Sequence, residues 1–486
     1  MQDRFTHGLP QNLSAITEAA GHSDDLLAKR VTVGDIPCCL LCCEGMISSA
    51  ALAELVIEPL HQCKGQCTDG TALLEHLDRD RILSPDCAAV HTVSALLHLV
   101  HAGFAALLAD GADFALCLGV QGYALRSISE PSGEQNLYGA KEGFTESVRT
   151  NMSQIRRRMK TPALVFSVVQ SGTLSQTDLC LCYLRDRVPQ DLVDTIRSRL
   201  TSLPLESVLS SGYVRPFLEE SDTALVHSVG TTERPDILCA KLLEGRVGIL
   251  IDGTPFALVI PQLFCESFQT LDDYNHPPAY ATLLRWLKYA AALIALLLPA
   301  GYLAVSLWHP ELLHETLLRL LTDSEQNAPF SIAAELLGIL FMYETVREAG
   351  LRLPKAVGSA VGIIGGLLIG DAAVQSGLIS TPVLTVAALS VTAGFVIPEH
   401  HAALTVLRPA FILAAAVSGI PGIAILGAIV LCRVCATEIF GFPVSAPVSP
   451  LLSGRLGDIL GRSGFRKLSQ RNFRVEETRI KVSPMD

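Results

Sequence analysis

Residues 287–307 read LKYAAALIALLLPAGYLAVSL, and that run decides what kind of chain this is. A helix needs ~20 predominantly apolar residues to cross the ~30 Å hydrocarbon layer of a bilayer, and the run after Lys288 supplies them. Trp286, Tyr289 and Trp308 bracket it, where amphipathic rings settle at a membrane–water interface. Pro299 and Gly301 in its middle predict a kink.

Downstream, charges stay sparse as far as Cys432. PFSIAAELLGILFMY (329–343), AVGSAVGIIGGLLIGDAAV (356–374), TPVLTVAALSVTAGFVIP (381–398) and LRPAFILAAAVSGIPGIAILGAIVLC (407–432) are further apolar segments. The last is broken at Gly419-Ile420-Pro421-Gly422 and is a hairpin candidate. These segments predict an all-α polytopic membrane domain over residues 286–435, with four or five spanning or re-entrant helices. Gly362, Gly366 and Gly370 are spaced as two overlapping GxxxG motifs, which let helix backbones approach closely in lipid. That face serves either ordinary helix packing or a tight oligomer around a pore. Carboxylates in hydrocarbon are costly and tend to face a cavity, a partner or a pore. Glu335, Asp371 and Gln375, one turn beyond it, are therefore candidates for a cation path or for a hydrogen bond across a helix interface.

Upstream, residues 1–285 mix charge and apolar residues as globular domains do. FAALLADGADFALCLG (104–119) sets two apolar runs around Asp110-Gly111, a pair suited to a tight hairpin turn. LIDGTPFALVIP (250–261) repeats the device around Asp252-Gly253, and each hairpin follows a short helix closing at glycine, Gly103 or Gly245. Two similar α/β subdomains follow, at residues 31–128 and 144–285. Residues 129–143 read as a linker loop, residues 1–30 as a polar tail and residues 436–486 as a basic tail. Arg285, Lys288, Arg347, Arg352, Lys355 and that basic tail belong on the cytoplasmic side, with the acidic 309–328 loop outside. Five full crossings would violate this arrangement, so one segment does not cross simply.

A net charge of −11 argues against nucleic acid as the main partner. The 14 cysteines lack zinc-finger pairing, and IPCCLLCC (36–43) uses them as small buried hydrophobes. No Walker loop, HExxH, GxSxG or dinucleotide fingerprint is present, so neither catalysis nor a metal or organic cofactor is expected.

RSISEPSGEQNLYGAKEGFTESVRTNMSQIRRRMKTP (126–162) resembles the hallmark block of the GerA family of spore germination proteins. Glu130, Pro131, Glu134, Glu142, Gly143, Phe144, Glu146, Ser147, Asn151, Arg156, Arg157, Arg158 and Lys160 all fit, and Tyr138 departs where the family usually has arginine. TERPD (232–236), EGRVGILIDGTPFALVIP (244–261), the 347–380 block and Asp458…Arg462 agree, so the resemblance covers about residues 30–475. It implies a germinant-receptor A subunit in the spore inner membrane, forming a ring around an ion channel. Its partners would be a permease-like B subunit and a lipoprotein C subunit; the stage V sporulation AF proteins are the nearest alternative. In that setting Arg156, Arg157 and Arg158 could pair with Glu130 and Glu134, coupling subdomains or subunits. The alternative is a solvated helix end.

Overall fold

The computed structural model describes residues 3–479 except 64–66, 68, 82–85, 123–130, 132, 135–137, 221–225, 326–327, 354–369, 453–457 and 469–473. Two five-stranded antiparallel sheets form the first half of the chain. The first holds β1 (Leu26–Val33), β2 (Ile36–Cys43), β3 (Cys87–Val90), β4 (Phe104–Ala109) and β5 (Ala115–Gly119) in the order β1-β2-β4-β5-β3. The second holds β6 (Leu164–Ser171), β7 (Thr177–Leu184), β8 (Gly230–Thr232), β9 (Val247–Ile251) and β10 (Ala257–Ile260) in the order β6-β7-β9-β10-β8. Taken in chain order within each half, the two strand orders are the same. Both Asp-Gly hairpins form, with Gly111 at φ +89° and Gly253 at φ +88°, a conformation that costs glycine little.

The repeat extends further upstream than the hairpins. Helix α1 (Leu9–Ala19) is the counterpart of the helix at Val148–Arg158. Thr6 N–H donates to Asn12 Oδ1 at 2.8 Å and Asn12 Nδ2 donates back to Thr6 O at 2.6 Å. Thr145 and Asn151 make the same two bonds at 2.8 and 2.6 Å. Each helix then docks its first N–H on the hairpin aspartate, Leu9 on Asp110 at 2.9 Å and Val148 on Asp252 at 3.0 Å. Residues 1–30 are therefore not a tail beyond the fold. Phe5, Leu9 and Ile16 lie in the first core, and β1 begins at Leu26.

A 31-residue helix, Pro278–Trp308, starts the second half and runs through Pro299. Helices Ile332–Arg352, Thr381–Phe395, His401–Ser418 and Ile420–Ala436 follow. Among the described residues, two stretches are long and apolar enough to cross a membrane, Pro278–Trp308 and Pro398–Ser418. Only 33% and 28% of their apolar windows are buried within the chain. Four or five full-length spans are not found among the described residues, which leave out 354–369. Thr381–Phe395 and Ile420–Ala436 are shorter apolar helices, and the Gly419 break separates two helices as the sequence predicts.

The described residues beyond Ala436 are not a free basic tail either. Ile439, Phe442, Ala446, Ile459 and Val475 are buried in the core of the second sheet. Phe264 N–H donates to Val444 O at 2.8 Å, and Val475 N–H to Glu244 O at 2.8 Å. The chain thus leaves the second subdomain at Pro278 and returns to it after the last helix.

Candidate coupling site between the soluble region and the helices

Helices α2 (Val93–Val100), α3 (Val148–Arg158), α4 (Pro235–Leu243) and the long α5 (Pro278–Trp308) follow α1, and two of them carry a buried arginine, Arg156 on α3 and Arg285 on α5. At the foot of α5, Arg285 is fully buried. Its Nε donates to Asp273 Oδ2 at 3.1 Å, and its Nη1 donates to the backbone carbonyl of Asp458 and to Asp458 Oδ1. Lys288 Nζ reaches Asp273 Oδ1 at 3.2 Å, and Tyr274 OH donates to Asp458 Oδ2 at 2.8 Å. Burial and the Asp458 carboxylate push the Tyr274 phenol upward. Trp286 Nε1 donates to Leu460 O at 2.7 Å and Tyr289 OH to Ile459 O at 3.0 Å. One helix turn is thereby tied to both the 270–274 segment and the returning C-terminal segment.

Arg246, at the start of β9, is also fully buried. It donates to Pro261 O at 2.8 Å and forms a two-pronged pair with Glu266, which Lys241 also contacts at 3.0 Å. Burial alone would raise the Glu266 carboxyl, but Arg246 and Lys241 beside it hold it down to about 2. The turn that carries Glu266 also carries Phe264 and Phe268. Their rings lie 5.3 and 4.8 Å from that of His400, and Ser267 Oγ is 2.7 Å from His400 Nε2. His400 immediately precedes helix His401–Ser418, so the second subdomain touches two of the apolar helices.

Within the bundle, Pro299 has no N–H for the carbonyl of Ala295, which would be its helical partner. Arg408 Nε and Ser390 Oγ each donate to that carbonyl at 2.7 Å, and Arg408 Nη2 donates to Ser390 O at 3.0 Å. A buried guanidinium therefore joins three helices through the Ala295 carbonyl that the proline has left available and through the Ser390 carbonyl. Glu335, 3% exposed, accepts from Ser380 N–H at 2.8 Å and Ser380 Oγ at 2.9 Å, capping helix Thr381–Phe395. These bonds run from one helix to the start of another. Asp371 and Gln375 are exposed in the single chain, and a Cβ at Gly370 would meet only Leu384 at 3.9 Å. Gly362 and Gly366 lie outside the described residues, as does Glu130.

Among the described residues the arginine triplet pairs with carboxylates other than Glu134. Arg156, 1% exposed, pairs with Asp25 at 2.8 and 2.9 Å and so joins α3 of the second subdomain to the first. Arg157 and Arg158 both converge on Glu142. Glu134 instead accepts from Thr232 Oγ1 at 2.7 Å, and Arg234 Nη1 donates to Glu134 O at 3.3 Å. Burial raises its carboxyl to about 6. Asp25, Asp273, Arg246, Glu266, Arg408 and Asp458 were not singled out from the sequence as site residues. One signal was available: FT-x5-N-x-S-x-I occurs at 5–16 and again at 144–155.

The family model "Bacillus/Clostridium GerA spore germination protein" matches residues 14–473. Spore germination protein KA of Bacillus subtilis (strain 168) is 33% identical over 460 residues, 93% of this chain and 84% of that one. The uncharacterized membrane protein YfkQ of the same organism is 32% identical over 97% of this chain and 92% of its own length. Stage V sporulation protein AF, also from that organism, is 27% identical over 91% and 90%. Among solved structures, the N-terminal domain of the A subunit of the Bacillus megaterium spore germinant receptor GerK3 is 28% identical. The match has a TM-score of 0.42 and takes in 54% of this chain and 97% of that one.

Proposed function

Because the chain belongs to the GerA family of spore germination proteins, we propose that it is the A-type membrane subunit of a spore germinant receptor. Several copies form a ring in the spore inner membrane, and a nutrient signal opens an ion path along its helices. A permease-like subunit and a lipoprotein complete the assembly. The observation that carries this reading is the foot of α5, where buried Arg285 binds the soluble region and the C-terminal segment to the first apolar helix. A movement of either would bear directly on that helix. The burial of Ile439, Phe442 and Val475 in the core of the second sheet supports an even number of crossings, with both soluble parts on one face. The basic flanks put that face in the cytoplasm. This supports treating one apolar stretch as re-entrant.

The reading is tested by reconstituting the receptor complex in potassium-loaded liposomes and recording ion release on addition of nutrient. Release that falls in Asp371→Asn supports a conducting path on that helix. Assembled rings that release nothing favour a scaffold that only holds the nutrient-sensing subunit. One observation favours that second reading: Glu335 serves as a helix cap rather than facing an open path.

A further inference from the structure

Each sheet has its first strand at one edge, β1 in one and β6 in the other, and an edge strand carries a row of backbone N–H and C=O groups outside the ladder. Gly34, at φ +63°, and Asp35 join β1 to β2 by a two-residue turn that sets Val33 opposite Ile36. The pair closing such a turn is hydrogen-bonded, so Leu27, Lys29, Val31 and Val33 bond to β2. Ala28, Arg30 and Thr32 then turn their N–H and C=O groups outward. The matched edge in the second subdomain is filled. Leu26–Val33 and Leu164–Ser171 are both eight-residue strands, beginning at the pairs Leu26–Cys43 and Leu164–Leu184, so Ala28 and Arg30 match Phe166 and Val168. Asp24 N–H donates to Phe166 O at 2.8 Å, Phe166 N–H to Ser23 Oγ at 2.9 Å and Val168 N–H to Asp24 Oδ2 at 2.6 Å. A short acidic segment of the first subdomain thus covers the edge of β6, where Leu164, Val165 and Phe166 are buried. On β1, Leu27 is 45% exposed, and Ala28, Lys29, Arg30 and Thr32 are exposed as well. Among the described residues nothing takes the outward groups of Ala28, Arg30 and Thr32, and no carboxylate pairs with Lys29 or Arg30.

We propose that the outer edge of β1 docks an extended acidic segment of a partner protein, which adds a strand to the first sheet. Charge selects the occupant. Lys29 and Arg30 are adjacent along the edge and point to opposite faces of the sheet, so acidic side chains on either face of an added strand meet a cation. A second copy's β1 would bring the same two cations against them, and like charges across a strand pair repel. The chain itself fills the matched edge of β6 with Asp24, the same chemistry drawn from within. This site stands whether or not the apolar helices enter a bilayer.

The test uses the full chain purified in detergent and a short fluorescein-labelled peptide that alternates valine with aspartate; its control has lysine in place of aspartate. Anisotropy should rise to saturation with the aspartate peptide and stay flat with the lysine one, and amide exchange across Leu27–Thr32 should slow when the former is bound. The exposed double variant Lys29→Glu/Arg30→Glu should weaken binding roughly tenfold or more. Two further aspartate peptides carry N-methyl groups on alternate backbone nitrogens, one in each phase. One phase should lose binding and the other keep it, since only one set of N–H groups faces β1. Binding kept by both would overturn the added strand and leave a plain charge attraction. No binding, or equal binding of the aspartate and lysine peptides, would overturn the acidic occupant. Ala28→Pro removes an outward N–H without touching the ladder to β2. Loss of the chain's own self-association in that variant would put a second copy on the edge and overturn the partner.

Discussion

The two α/β subdomains share one strand order and one helix clasp, yet among the described residues the buried charge pairs that reach the apolar helices come from the second. Matched positions show how. The residue after the helix-closing glycine is Phe104 in the first and Arg246 in the second. Phe104 packs against an apolar core, whereas Arg246 is ion-paired to Glu266. The N-cap position of the helix before it is held by Thr92 in the first, which caps through its hydroxyl, and by Arg234 in the second, whose guanidinium holds Asp236 and the Glu134 loop instead. A duplicated scaffold has thus been specialised by exchanging apolar or neutral groups for buried cations. A buried cation must be met by fixed acceptors: Glu266 lies in the segment that leads to the apolar helices, whereas Asp236 and the Glu134 carbonyl lie beside the second sheet.

The largest effect should come from breaking that specialisation. Glu266→Gln leaves Arg246 buried without its carboxylate and should cost about 3–5 kcal/mol, read as a drop in the melting temperature of the detergent-purified chain. Copying the first subdomain with Arg246→Phe and Glu266→Leu together should recover most of that loss. If the double variant is worse than the single, the matched positions are not equivalent.

Next is the seam between the two subdomains. Asp25→Asn should cost about 2–4 kcal/mol, because Arg156 retains Ser23, Thr161 and Leu164 as acceptors. Faster hydrogen exchange in β1 and α3 together, with the two cores otherwise protected, would locate the loss at the seam. Asn12→Ala and Asn151→Ala provide the sharpest comparison, since each opens the same clasp. Each should cost about 1–3 kcal/mol, and the two losses should agree closely in chemical denaturation. A large inequality would show that the clasps do different work in the two copies.

The smallest effect is the pH response of Glu134, raised to about 6 against an ordinary 4.5. Its folded-state value lies above its unfolded one, so ionisation opposes folding. Stability should decline as pH rises from 4.5 through about 6. Melting curves of Glu134→Gln should lack that decline. Glu266 works in the other direction: held down to about 2, it contributes stability above pH 4.5 that is lost as pH falls toward 2.

Much of the architecture was legible locally. The Asp-Gly pairs placed both hairpins, and the helix-closing glycines Gly103 and Gly245 take positive φ as their position requires. Ser147 caps α3 through its hydroxyl, and the 287–307 run lies within one helix. The ends of the chain were misread for one physical reason. LPQNLSAITEA has too little apolar surface to look like a core helix on its own, and its place depends on Asp110, about a hundred residues away. Likewise Ile439, Phe442 and Val475 are scattered through a polar stretch and meet an apolar surface only on the second sheet.

Sequence alone determined what acts over a few residues. It identified which turns need glycine, which stretches alternate as strands, and which run is too apolar to be wetted by water. The tertiary structure alone decided which cation meets which carboxylate. Arg285 finds Asp458 across 173 residues and Arg156 finds Asp25 across 131. A buried charge takes whatever acceptors the assembled topology brings within about 3 Å, and nothing in its neighbours along the chain records that choice.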